Sequence, residues 1–137
     1  MAVANQTIQD SRYRTIIKTL SSSTTSAASI LDVSTLSGFV AVRTSLVTIA
    51  KVSWSLSSEA NILWDATSNV IALSLNGNGS YGFMPGQPSL VNNGAAANLT
   101  GDVLFTASSA CFGYVVVEYH KAPTAEGVGW SDGLNLA

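Results

Sequence analysis

Alternation with a period of two constrains this chain more than any other feature. In the run Phe112-Gly-Tyr-Val-Val-Val-Glu-Tyr-His-Lys121, Val115, Val117 and Tyr119 fall on one face of an extended strand. Strands send successive side chains to opposite faces, whereas a helix needs apolar residues three and four apart. Between Leu46 and Leu56 the residues Leu46, Ala50, Val52, Trp54 and Leu56 share one face, and Lys51, Ser53 and Ser55 share the other. That pattern reads as a half-buried strand. Asn61-Ile-Leu-Trp-Asp65 and Val70-Ile-Ala-Leu-Ser-Leu75 flank the loop 66–69 as a hairpin, with Ile71, Leu73 and Leu75 turned to the core. Asp102 to Ala107 and Phe112 to Lys121 read as a second pair around Ser108-Ser-Ala110, and a shorter strand is expected between Ala27 and Leu36.

No segment longer than a turn or two carries helical periodicity, and no internal repeat is visible. Roughly six to eight short strands with frequent turns predict an all-β fold, an antiparallel β-sandwich or jelly roll. A chain of 137 residues suits one domain. At that size a single core takes about two-thirds of the unfolded surface out of water. The predicted core contains Trp54, Trp64, Ile71, Leu73, Leu75, Val115 and Val117.

The two ends read differently from the middle. Residues 1–26 are expected to form an N-terminal arm, a first strand followed by the linker Ser21-Ser-Ser-Thr-Thr-Ser26. Ile8, Asp10, Arg12, Arg14, Ile16 and Lys18 would share one side of it, which mixes apolar with charged residues. Residues 27–121 form the expected sandwich, and 122–137 a C-terminal arm too poor in apolar surface to fold alone. Trp130 and Leu134 in that tail, with Arg12, Tyr13, Arg14 and Ile16, are the predicted interface residues.

Charged residues are only 10% of the chain, against about 25% in an average soluble domain. Polarity comes from Ser, Thr and Asn instead. So neutral a surface favours self-association, and cover by neighbouring subunits is the expected remedy. Net charge is −2 with six basic residues, of which Arg12, Arg14 and Lys18 form the only local group. Neutralising nucleic-acid phosphates takes a larger patch, so no nucleic-acid partner is expected. The one cysteine, Cys111, has no partner for an internal disulfide or a metal site and is expected to be a small buried residue. The opening MAVANQTIQD lacks a basic stretch followed by an apolar run, so no signal peptide is expected. No stretch approaches the ~20 apolar residues of a membrane helix.

One motif invites a catalytic reading. Gly77, Gly79 and Gly82 follow an apolar strand and spell GxGxxG, with Asp102 further on. In dinucleotide-binding domains that turn must open a helix, whose free N–H groups hold the pyrophosphate. Here Pro85, Gly86 and Pro88 follow, which cannot continue a helix. The glycines are therefore read as a turn, and no cofactor is expected. The single histidine, His120, lies at a strand end, no GxSxG surrounds any serine, and the carboxylates are scattered singly. No catalytic or metal-binding residues are assigned. Trp54, Trp64, Tyr81 and Phe83 fit a β-core, or alternatively a platform for sugar rings.

The runs Ile62-Leu-Trp-Asp65, Asn69-Val-Ile-Ala-Leu and Ser74-Leu-Asn-Gly-Asn-Gly-Ser-Tyr-Gly-Phe83 resemble small virion structural proteins of tailed bacteriophages, notably those of marine and cyanobacterial hosts. Thr100-Gly-Asp-Val103, Tyr114 to Lys121 and the opening Gln6-Thr-Ile-Gln-Asp-Ser-Arg12 fit the same pattern, so the resemblance spans residues 6–121. It implies a non-enzymatic β-sandwich made in the host cytoplasm and built into the particle, most simply a capsid decoration or cement protein on the head exterior. Its implied partners are the major capsid protein and further copies of itself, as a homotrimer. The alternatives are a head–tail connector, neck or tail-fibre attachment protein and, from a different class, a carbohydrate-binding β-sandwich module that takes a glycan.

Overall fold

The computed structural model describes residues 3–11, 14–36, 46–65, 69–90 and 102–122. They form nine strands: β1 (Val3–Asp10), β2 (Arg14–Ser22), β3 (Thr25–Leu31), β4 (Leu46–Leu56), β5 (Ala60–Trp64), β6 (Val70–Leu75), β7 (Asn78–Tyr81), β8 (Val103–Ala107) and β9 (Phe112–Ala122). The only helical element among the described residues is a 3-10 turn at Val33–Thr35. A five-stranded sheet has the order β1-β2-β9-β4-β7, and a four-stranded sheet the order β3-β8-β5-β6. Every pairing is antiparallel. The fold is a β-sandwich. Apart from the β1–β2 and β5–β6 hairpins, each connection crosses from one sheet to the other.

Alternation explains which side chains fill the space between the sheets. Val115, Val117 and Tyr119 of β9 lie inside, against Val52, Ile49 and Leu56 of β4 and Ile62, Trp64, Val103 and Phe105 of the facing sheet. Leu75 is equally buried, and Cys111 is a buried free thiol at the base of β9. Trp54 and Leu73 are half-buried and pack against this cluster from its margin.

Three features of the strands differ from the sequence reading. Ile71 is not a core residue: it is 59% exposed. Ile62 pairs with Leu73 but Leu63 pairs with Ile71, so Ala72 is an inserted residue that turns Ile71 outward while Leu73 and Leu75 stay inside. Strand β4 holds a similar insertion at Ala50, because Ile49 pairs with Tyr119 and Lys51 with Glu118. Val47 and Ile49 are buried before it and Val52 and Leu56 after it, so one uninterrupted phase does not describe the strand. The Leu46 side chain lies outside the described residues. Finally, β8 and β9 are not a hairpin. They belong to different sheets, and residues 108–111 bridge the two.

The N-terminal segment is also not an arm ahead of the sandwich. β1 and β2 are strands of the five-stranded sheet, and β2 runs along β9 from Arg14–His120 to Ser22–Phe112. Its inward face is Thr15, Ile17, Thr19 and Ser21, all buried. Three of those four carry hydroxyls, so the segment looks two-sided and polar in sequence. A buried hydroxyl must be bonded to be tolerated, and the neighbouring strand supplies the partners. Thr15 Oγ1 donates to Asp10 Oδ1 at 2.9 Å, and Thr19 Oγ1 to Asn5 Oδ1 at 2.7 Å. Ser21 Oγ donates to the Cys111 carbonyl at 2.8 Å. Asn5 Nδ2 then donates to the Ser29 carbonyl of the facing sheet at 3.0 Å, tying the layers together. The linker placed at Ser21–Ser26 is in fact the end of β2 and the start of β3. The C-terminal arm beyond Ala122 lies outside the described residues.

Replacing Thr19 by Val keeps its shape but leaves the Asn5 carboxamide oxygen without its donor. Chemical denaturation should show a loss of about 1–2 kcal/mol, and Thr19→Ser a smaller one. Equal stability of Thr19→Val and wild type would mean that this polar layer is not structural.

Candidate functional site

The glycine motif resolves into packing. Gly79 faces Trp54 across the β4–β7 ladder, and a Cβ there would sit 2.6 Å from the Trp54 ring. Gly82 has φ of +93°, and a Cβ on it would lie 2.0 Å from the Ala50 carbonyl oxygen at the β4 insertion. The chain beyond Gly82 makes a tight turn in which Gln87 Oε1 accepts from the Gly82 and Met84 amides at 2.8 and 3.1 Å. The strand–turn–helix context of a phosphate cradle is not there. These glycines seat β7 on β4.

The four aromatics considered as a sugar platform do not share a surface. Trp64 is buried in the core. Trp54 is half-buried, and its Nε1 donates to the Asn76 carbonyl at 3.3 Å. The Tyr81 hydroxyl donates to the Pro88 carbonyl at 2.8 Å, while Phe83 is exposed with Lys51 Nζ 5.5 Å from its ring centre.

Charged chemistry gathers in two places. On the outer face of the five-stranded sheet, Glu118 Oε2 lies 2.8 Å from His120 Nε2 and 3.7 Å from Arg14. At one end of the sandwich, Asp102 lies near Asp32 and Asp65. Burial pushes its carboxyl above the usual range, the Val33 amide at 3.0 Å opposes this, and the two neighbouring carboxylates raise it further. Among the described residues no group of three His, Cys, Asp or Glu side chains could hold a metal ion.

The more distinctive surface is apolar. Side chains alternating with the core of β2 and β9 point outward, and the register sets Leu20 beside Tyr114 and Ser22 beside Phe112. Leu20 is 48% exposed, Tyr114 37% and Phe112 56%. Lys18 and Val116 come next along the same face, and beyond them Ile16 lies beside Glu118, which Lys51 flanks from β4, with Arg14 following. Of the predicted interface residues, Arg14 and Ile16 thus fall on this face. Arg12, Tyr13, Trp130 and Leu134 lie outside the described residues. The aromatics Phe112 and Tyr114 were readable as outward in sequence, since they alternate with Val115 and Val117. Their significance became visible only when β2 was placed beside them.

No family model matches the chain, and no curated protein matches it. Among solved structures, a mutant of a family 29 carbohydrate-binding module is similar over 99% of this chain and 95% of its own, with a TM-score of 0.38 and 8% identity. A likeness that loose says nothing about what this chain binds.

Two outcomes test this geometry. Gly82→Ala should lower the thermal midpoint sharply, because the added methyl meets backbone and the φ is unfavourable for any L side chain. A midpoint within a degree or so of wild type would refute the packing. The second concerns pH. A carboxyl whose folded pKa is raised binds its proton more tightly folded than unfolded, so it stabilises the fold at low pH relative to neutral pH. Stability contributed by Asp102 is present below its unfolded pKa and falls as pH rises toward the folded value. Asp102→Asn keeps the acceptor for Val33 and removes the charge, so it should be the more stable protein at neutral pH. The gap should close as pH drops below about 4. A gap that stays constant across that range would show that burial of the charge is not its cause.

Proposed function

We propose that this chain is a non-enzymatic structural subunit of a tailed-bacteriophage virion, a decoration protein that seats on the capsid through the outer face of its five-stranded sheet. The observation that carries the reading is the exposed row of Leu20, Tyr114 and Phe112 on that face. Large aromatic and aliphatic side chains side by side in water mark a docking surface. The sheet beneath is rigid, which keeps the ordering cost of binding low. Each of the three residues, once covered, contributes on the order of 2 kcal/mol. Lys18, next along β2 from Leu20, with Lys51 and Arg14 farther along the face, supplies polar contacts beside the row. The sequence resemblance to small virion proteins of marine and cyanobacterial phages supports the same reading, as does a chain so poor in charge. On a capsid lattice, modest contacts repeat, and avidity makes up for weak single sites. A trimer at local three-fold positions is the arrangement we favour, with the major capsid protein as the second partner.

Co-sedimentation of the purified protein with capsid shells tests this directly. The variant F112S/Y114S should lose at least tenfold in affinity, equivalent to about 1.4 kcal/mol, while unfolding like wild type. Undiminished binding would remove the face from the interface. Quantitative mass spectrometry of whole particles fixes the position: hundreds of copies indicate the shell, whereas a single ring's worth indicates the neck or tail. Absence from particles would overturn the virion reading itself.

A further inference from the structure

The opposite face of the sandwich carries a second, chemically different surface. Outward residues of three adjacent strands line up in register there: Ser74 of β6 beside Asn61 of β5, and Asn61 beside Thr106 of β8. They floor a trough of about 370 Å³ bounded by Ser108, Glu59 and Ile71. Thr106 and Ser108 also line an adjoining trough that runs on to Thr24, Thr25 and Ser26 at the start of β3. The two together cross all four strands, a span of about 14 Å at the usual strand spacing.

We infer that this trough is a binding site for a neutral oligosaccharide. Four observations carry it. Hydroxyl and carboxamide groups of Asn61, Ser74, Asn76, Thr106 and Ser108, set among Ala60, Ile71 and Leu75, line the main trough; they both donate and accept, as the hydroxyls of a sugar do. Among the described residues no cation lines either trough, and Glu59 stands at the rim, so phosphates, sulfates and anionic sugars are disfavoured. The Asn61 and Ser74 side chains make no hydrogen bond with other described residues and are open to a ligand, while Thr106 Oγ1 is held in place by donation to the Thr25 carbonyl at 3.1 Å. Ile71, turned outward by the Ala72 insertion, gives one apolar surface at the trough's end for the C–H face of a sugar ring. The β3 side is shaped by an inserted residue between Thr25 and Ala28, where Ala27 has φ of +46°. Left-handed backbone at a non-glycine residue is uncommon and concentrates at functional positions. Among the described residues no aromatic side chain lines the trough, so a single site is weak, and many copies side by side would be needed for firm attachment. The site is independent of the capsid-docking face.

NMR titration of the full-length protein with cellotetraose, mannotetraose and xylotetraose, with sialyllactose as the anionic control, tests the inference. Amide shifts should appear at Asn61, Ile71, Ser74, Thr106 and Ser108 with at least one neutral probe, saturating in the millimolar range, and not with sialyllactose. The double variant N61A/S74A, whose changes are on the outer face, should keep the wild-type spectrum elsewhere and bind about tenfold more weakly. The bulkier Ser74→Arg should abolish the shifts. Three results would each overturn the site: no shift with any neutral probe, shifts centred on Phe112 and Tyr114 instead, or equal affinity in the double variant. Binding of sialyllactose as tight as that of the neutral probes would refute the selection against charge.

Discussion

Strand β9 is hydrogen-bonded along nearly its whole length on both sides, to β2 and to β4. Everything else in the five-stranded sheet is positioned by those two ladders. Because one face of β9 is Val115, Val117 and Tyr119, and all three are buried, its register cannot slip by one residue without turning the core outward. That lock fixes Phe112 and Tyr114 on the outside with the same certainty. It also fixes Leu20, which reaches the patch only because β2 is paired to β9 in this register. The exposed apolar row is thus a by-product of the constraint that builds the core. A substitution that loosens Val117 would disturb the outer surface without touching any residue on it.

The second surface depends on a different device. Extra residues in β3 and β6 change which side chains face out. Ile71 would sit inside an unbroken strand, and the trough would lose its apolar end. The same reasoning separates the two faces chemically. The outer side of the five-stranded sheet is aromatic and aliphatic with basic residues farther along it. The outer side of the four-stranded sheet sets the hydroxyls and amides of Asn61, Ser74 and Thr106 beside the aliphatic Ile71, Leu63 and Leu104. A single sandwich of so little charge therefore carries two chemically different faces.

Much of the fold was legible in sequence, and the failures share a cause. Val115, Val117, Leu75 and Trp64 were readable as inward because alternation around them is clean. Ile71 was not, because an inserted residue leaves no mark in a period-two pattern: Ala72 is as compatible with a regular strand as with a bulge. The face formed by Thr15, Thr19 and Ser21 gave no inward signal because hydroxyl side chains are ambiguous until their partners are known. Asn5, Asp10 and the Cys111 carbonyl are those partners, and only tertiary structure brings them near. The pairing of β8 with β9 failed for a related reason. Short connections usually join neighbours in one sheet, but residues 108–111 cross the sandwich instead. As for the candidate site, its members Ser74, Asn61 and Thr106 are ordinary residues individually. Their alignment across three strands is a property of register, which one strand's sequence does not contain.

The inserted residues also bear on how such a chain stays soluble. Of the four strands at sheet edges, β1 is interrupted at Ile8, β3 between Thr25 and Ala28 and again at Ile30, and β6 at Ala72. The fourth, β7, has only four residues and ends at Tyr81. Among the described residues no edge offers a long, straight row of amides and carbonyls to a second copy. Many β-proteins protect their edges with lysines pointing into the path of an incoming strand. A chain with 10% charged residues has few to assign to that task. Here kinks substitute for charge, and they leave the broad faces untouched. What the described residues leave open to contact is the pair of broad faces rather than the strand edges.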